Sequence, residues 1–180
     1  MRILGISGSL RRDSHNTSLL RAAAMSLPSG VELELFDGLG DLPHYNADID
    51  EDPAPDAVVR LREAIAGADG VLIATPEFNG SIPGALKNAL DWASRPFPEN
   101  AFRGKPTSVI GASTGLFGAV WAQAEARKVL SAIGARVIDR ELPIGLAESA
   151  FTPEGTLAED DHSLALAGIL AELRAELVTA

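Results

Sequence analysis

Residues 7–18 read SGSLRRDSHNTS, a run of small hydroxyl and amide side chains that carries two arginines. The run follows a short apolar stretch, Ile3-Leu4-Gly5-Ile6, and precedes an amphipathic pattern, so it stands where a strand hands over to a helix. A helix N-terminus offers free backbone N–H groups and a partial positive charge. Asn16 or Thr17 suits the N-cap, while Ser9, Ser14, Asn16 and Thr17 add side-chain donors. The Arg11 guanidinium matches phosphate oxygens in shape and charge. Anion binding is the chemistry on offer, yet the run fits neither the G-x-x-x-x-G-K-[ST] phosphate loop nor the G-x-G-x-x-G dinucleotide fingerprint. A polar turn with a helix cap is the plain structural alternative.

Two further stretches carry candidate chemistry. Residues 75–84, TPEFNGSIPG, place an aromatic ring, Phe78, between Glu77 and Asn79. Pro76 stiffens the entry, Gly80 permits a tight turn, and Ser81 with Pro83 is expected to open a helix, Ser81 as the cap. Phe78 could face a flat ligand or pack on its own helix. Residues 111–115, GASTG, match G-x-S-x-G, the strand-to-helix elbow of a serine hydrolase. A Ser113 nucleophile would need a later acid and histidine, and only His162 lies downstream, with Asp139, Asp160 and Asp161 as acids. Asp160 and Asp161 lie too near His162 in sequence to orient it well, and no HGGG-type stretch supplies an oxyanion hole. A tight glycine turn that presents backbone N–H groups to a planar heterocycle is the simpler account. His15, His44 and His162 have no metal-ligand spacing and read as surface residues.

These stretches need a frame. Apolar runs at 2–7, 31–36, 70–75, 107–112 and 136–138 read as buried strands. Between them lie helical stripes: Leu20, Ala23, Ala24, Leu27; Val58, Leu61, Ile65; Leu86, Ala89, Leu90, Ala93; Ala122, Ala126, Val129, Leu130, Ile133; and Leu166, Leu170, Leu173, Leu177. Strands apolar on both faces imply a parallel sheet with helices on both sides. The expected fold is an α/β doubly wound five-stranded sheet of order 2-1-3-4-5, which puts a ligand beyond the carboxyl ends of strands 1, 3 and 4. The three stretches above follow those strands. One domain over 1–180 is expected, with 37–56 a long acidic surface loop.

Composition narrows the classes. A formal net charge of −10 argues against nucleic acid and anionic membranes, and no apolar run approaches a membrane span. The chain has no cysteine, so disulfides, thiolate chemistry and cysteine-bound metal are excluded. A soluble, cytoplasmic protein is the expectation.

The loops together resemble those of the NADPH-dependent FMN reductase family, which includes flavin-dependent quinone, chromate and azo-dye reductases. The motifs are GSLRRDSHN at 8–16, TPEFNGSIPGALKNALDW at 75–92, GKP at 104–106 and GASTGLFGAVWAQ at 111–123. The resemblance runs from residue 1 to about residue 143. It implies a flavodoxin-like fold, noncovalent FMN, NADPH or NADH as co-substrate, a quinone or similar small acceptor, and a homodimer or homotetramer. It implies that Ser9, Arg11, Ser14, Asn16 and Thr17 hold the FMN phosphate. Pro76, Glu77, Phe78 and Asn79 would line the isoalloxazine, and Ser113 and Gly115 would meet its pyrimidine edge. No protein side chain is then expected to be catalytic, because the flavin carries the hydride chemistry. No metal is expected. The family usually has Tyr at Phe78 and often Arg at Trp121, so a hydroxyl contact and a charge contact are missing. A second subunit would cover the 37–56 loop and the Trp121 helix. Two rival functions remain at this level: a flavodoxin-type electron carrier, although the T-x-T-G-x-T loop of flavodoxins is absent, and the Ser113 hydrolase.

Overall fold

Alternation of apolar strands with amphipathic helices sets the chain order. The structure, a computed structural model, describes residues 1–178. Strand β1 (Arg2–Ser7) leads to α1 (His15–Met25), β2 (Glu32–Phe36), α2 (Asp56–Gly67), β3 (Gly70–Thr75), α3 (Gly84–Ala93), β4 (Pro106–Ala112), α4 (Val120–Ala132), β5 (Arg136–Val137), β6 (Pro143–Ile144) and α5 (Asp160–Val178). The parallel sheet has the order β2-β1-β3-β4-β5, as the sequence pattern requires, with β6 also paired to β4.

Successive side chains of a strand point to opposite faces, so each central strand feeds two cores. Leu4, Ile6, Val71, Ile73 and Val109 pack under α2, α3 and α4, against Val58, Leu61, Ile65, Leu86, Leu90 and Leu130. Ile3, Leu72, Ala74 and Ile110 pack under α1 and α5, against Leu19, Leu20, Leu166, Ile169 and Leu173. Each fully buried Leu or Ile is worth about 1.5–3 kcal/mol relative to exposure. The first helical stripe shifts: α1 buries Leu19, Leu20, Ala22 and Ala23, and it ends before Leu27. Helix α1 is capped by Ser14 rather than Asn16 or Thr17, because the Ser14 hydroxyl accepts from both Asn16 N–H and Thr17 N–H. At α3 the cap position is Pro83, with no side-chain cap, and Ser81 lies outside the helix.

The fifth strand departs from expectation. It is split into β5 and β6, both paired with β4. While β4 advances four residues from Thr107 to Gly111, the edge advances six, from Val137 to Pro143. Two residues are therefore extra, and the ladder opens around 138–142. The buried Gln123 amide fills the opening: Leu142 N–H donates to its Oε1 at 3.0 Å, and its Nε2 donates to the Leu142 and Gly118 carbonyls at 3.2 and 3.0 Å.

The acidic 37–56 segment carries two 3-10 turns, Leu39–Asp41 and Ala47–Ile49. It is fastened to α3 through Pro43 C=O, which accepts from Asn88 Nδ2 (2.9 Å) and Trp92 Nε1 (2.8 Å). Among the described residues, no helix is long and apolar enough to cross a membrane.

Candidate active site

Loops 8–14, 76–83 and 113–119 meet at the carboxyl ends of β1, β3 and β4. They enclose a cleft lined by Ser9, Arg11, Ser14, His15, Asn16, Pro76, Glu77, Phe78, Ala112, Ser113 and Thr114. Eight of the residues singled out from the sequence therefore share one cleft. Thr17 faces a neighbouring hollow with Ser7, Arg21 and Asp37, and Asn79 and Gly115 are not among the lining residues.

The first loop gathers hydrogen-bond donors at the start of α1. Its glycine backbone is tied to β3 by Gly8 N–H donating to Ala74 C=O at 2.8 Å. Ser14 is buried, and as an N-cap it uses its oxygen to accept, at 3.2 Å from Asn16 N–H and 3.3 Å from Thr17 N–H. Arg11 is exposed, and Ser9 Oγ, which accepts from Arg11 N–H at 3.4 Å, belongs to the same cleft lining. Hydroxyl, guanidinium and helix N-terminus together make a donor set that suits a phosphate.

The Asn16 and Thr17 side chains make their hydrogen bonds within the protein. Asn16 is buried and pairs with both backbone groups of Ala112: its Nδ2 donates to the carbonyl and its Oδ1 accepts the N–H, each at 2.9 Å. It thereby extends the edge of β4's last residue into α1. Thr17 Oγ1 donates to Ser7 Oγ at 3.0 Å, binding α1 to the end of β1. Both side chains fix the loop from behind.

The second loop is a hairpin. Phe78 and Ser81 exchange backbone hydrogen bonds at 3.0 and 3.2 Å across Asn79-Gly80. Asn79 (φ 56°) and Gly80 (φ 74°) are both left-handed, the Asn-Gly pairing that a type I′ turn demands. The hairpin lifts Phe78 to 55% exposure on the cleft wall. The third loop is held from below by Ala147 N–H donating to Ser113 C=O and Leu146 N–H to Gly115 C=O, at 3.0 and 3.1 Å. Gly118 (φ 56°) admits no side chain, since a Cβ there would overlap the Pro143–Ile144 backbone.

The hydrolase elbow is not assembled. Ser113 has no left-handed backbone, and its Oγ accepts from Gly115 N–H at 3.1 Å. His162, in the first turn of α5, has its Nδ1 3.4 Å from Glu159 Oε2. Among the described residues, no cluster of His, Cys, Asp or Glu could hold a metal. Lys105, whose pKa burial lowers and Asp69 partly restores, sits at the opposite end of β4 from the cleft.

Sequence reasoning missed His15, Ala112 and Thr114. His15 is the first residue of α1, half-buried, with its ring parallel to Phe151 at 6.3 Å. Its place directly after the cap was the available signal. Gln123 was also missed, although it closes the long 111–123 motif.

A doubly wound sheet of order 2-1-3-4-5, with an anion-accepting first loop facing an aromatic second loop, defines a flavodoxin-like nucleotide-binding protein. Comparison with known proteins refines this: the chain belongs to the NADPH-dependent FMN reductase family, whose model matches residues 1–149. It is 45% identical over 161 residues to an NAD(P)H-dependent FMN reductase of Pseudomonas aeruginosa, covering 89% of this chain and 86% of that protein. It is 41% identical over 162 residues to a 2-hydroxy-1,4-benzoquinone reductase of a Burkholderia species, covering 89% and 87%. Among solved structures, the flavoenzyme NAD(P)H:(acceptor) oxidoreductase FerB of Paracoccus denitrificans superposes with a TM-score of 0.86 at 36% identity, covering 99% of this chain and 97% of that one.

Proposed function

We propose that this chain is an NAD(P)H-dependent FMN oxidoreductase that delivers electrons to a quinone or similar small acceptor, with residues 1–180 acting as one FMN-binding domain. The family membership and the quinone reductases among its relatives support the activity. The observation that carries the site assignment is the convergence of the Ser9–Arg11–Ser14 donor set and the Pro76–Phe78 wall in one cleft. Bound FMN would supply the electron exchange between nicotinamide and acceptor. The protein's part is positional. Ser9, Arg11 and Ser14 would hold the 5′-phosphate at the α1 N-terminus, with Asn16 and Thr17 locking that loop in place. Pro76 and Phe78 would bound the ring on one side. Backbone groups of 113–115 would meet its polar edge, with Ser113 held by Gly115.

The rim of the cleft is apolar. Leu10, Phe78, Leu116, Phe117, Trp121 and Leu146 are all more than half exposed there. A second copy of the chain over this rim would exclude water from the cleft, and a homodimer is the assembly this reading favours.

The test is direct. The purified protein should bind FMN more tightly than riboflavin and, alone, oxidise NADPH or NADH in the presence of a benzoquinone. Binding without any nicotinamide oxidation would move the protein to the electron-carrier class. Equal affinity for FMN and riboflavin would remove the first loop from the phosphate assignment.

A further inference from the structure

Glu77 belongs to the cleft by position, but its carboxylate is turned away to another task. Its Oε2 accepts from Trp121 N–H and from Ala122 N–H, each at 3.1 Å. These are the second and third residues of α4. That helix has no cap of its own: Ala119 holds the cap position in a left-handed conformation (φ 61°) and its side chain can accept nothing. Glu77 is therefore the cap of a helix 44 residues further along the chain. A carboxylate fits there doubly, since it satisfies orphan donors and meets the positive end of the helix dipole.

The same helix takes a second hold on the same loop. Ser81 Oγ donates to Glu125 at 2.5 Å. Glu77 and Ser81 stand on either side of the Phe78–Ser81 exchange, so the hairpin is fastened to α4 both before and after its tip. Between the two fastenings on α4 lies Gln123, which binds Gly118 and Leu142. The opening turns of α4 thus join the second loop, the third loop and the split edge strand.

We propose that Glu77 is a positioning residue: by capping α4 it sets the Phe78 hairpin and the 113–119 loop at a fixed separation, the width of the slot for the flavin ring. It acts on the ring end of the cleft and not on the phosphate end. The proposal takes its ligand from the FMN reading above and assigns a role within it.

The two ends separate experimentally because riboflavin has the ring and lacks the phosphate. Glu77→Ala should weaken FMN and riboflavin by the same factor, about tenfold each, the scale of one lost cap. The FMN-to-riboflavin ratio should stay at the wild-type value. Glu77→Gln keeps an acceptor oxygen and should recover most of the loss. Ser81→Ala, which frees the other side of the hairpin, should repeat the pattern more weakly. Hydrogen exchange on the flavin-free protein gives an independent readout: the Trp121 and Ala122 amides should exchange faster in Glu77→Ala, and the 76–83 segment with them. Unchanged affinities in Glu77→Ala, a changed FMN-to-riboflavin ratio, or slow exchange at Trp121 and Ala122 would each overturn the assignment. A wild-type protein that binds neither flavin would overturn the FMN reading instead, and the exchange comparison would still decide whether Glu77 holds the loop.

Discussion

At the scale of single residues, the polar side chains of the cleft divide into exposed ones, which the FMN reading gives to the ligand, and buried ones bonded within the protein. Arg11 and Asn16 are five positions apart and draw the division clearly. Arg11 is exposed, whereas the buried Asn16 satisfies both backbone groups of Ala112. Arg11→Ala should weaken FMN by about 1.5–3 kcal/mol, the range for a charge-assisted hydrogen bond, and leave folding stability within about 0.5 kcal/mol. Asn16→Ala should instead cost about 2–3 kcal/mol of stability, because it strands a buried N–H and a buried carbonyl. Calorimetric FMN titration beside urea unfolding of both variants checks this. The reverse pattern would exchange their roles. Residue type and spacing placed both at the site, but type alone cannot tell a ligand-facing donor from a structural one. Serine, threonine and asparagine serve both purposes, and the difference lies in which way α1 turns them. Glu77 was similarly legible as a site residue and illegible as a helix cap, since its partners are 44 and 45 residues away.

At the scale of elements, the strands that are apolar on both faces were readable to within a residue or two: β1, β3 and β4 have no alternative but the centre of a sheet. The edge was not. The run at 136–138 signalled a strand, but nothing in the local pattern signalled the two extra residues that divide it from Pro143-Ile144. What supports the opening is the Gln123 side chain from α4, again a contact between distant segments. Gln123→Leu preserves most of the volume and removes every hydrogen bond, leaving Leu142 N–H and C=O and the Gly118 carbonyl without this partner. A loss of about 3 kcal/mol or more in urea unfolding is expected. A change within about 0.5 kcal/mol would mean that the backbone alone supports the break. The cap of α1 carries a similar lesson. Ser14, Asn16 and Thr17 all favour a cap, and only the point at which the chain leaves the 8–14 loop selects Ser14.

At the scale of the whole molecule, the exposed apolar side chains on the cleft loops and on α4 bear on the proposed dimer. Phe117 and Trp121 meet edge to face at 5.1 Å and stand 62% and 52% exposed. Sedimentation velocity at micromolar concentration should find a dimer, and Phe117→Glu with Trp121→Glu should give a folded monomer with weakened FMN. A wild-type monomer with full activity would end the idea that a second copy completes the site. The broken outer strand bears on how such copies can meet. A regular edge strand exposes a row of unpaired N–H and C=O groups that a neighbouring chain can extend into a continuous sheet, which is also the first step towards fibres. Here that row is interrupted at 138–142, and its flank carries Arg136, Asp139, Arg140 and Glu141, three of them engaged with Arg127 or Glu172. Strand addition along this border meets an interrupted template, so a second copy can lie over the cleft loops without the β5–β6 edge drawing the chains into one continuous sheet.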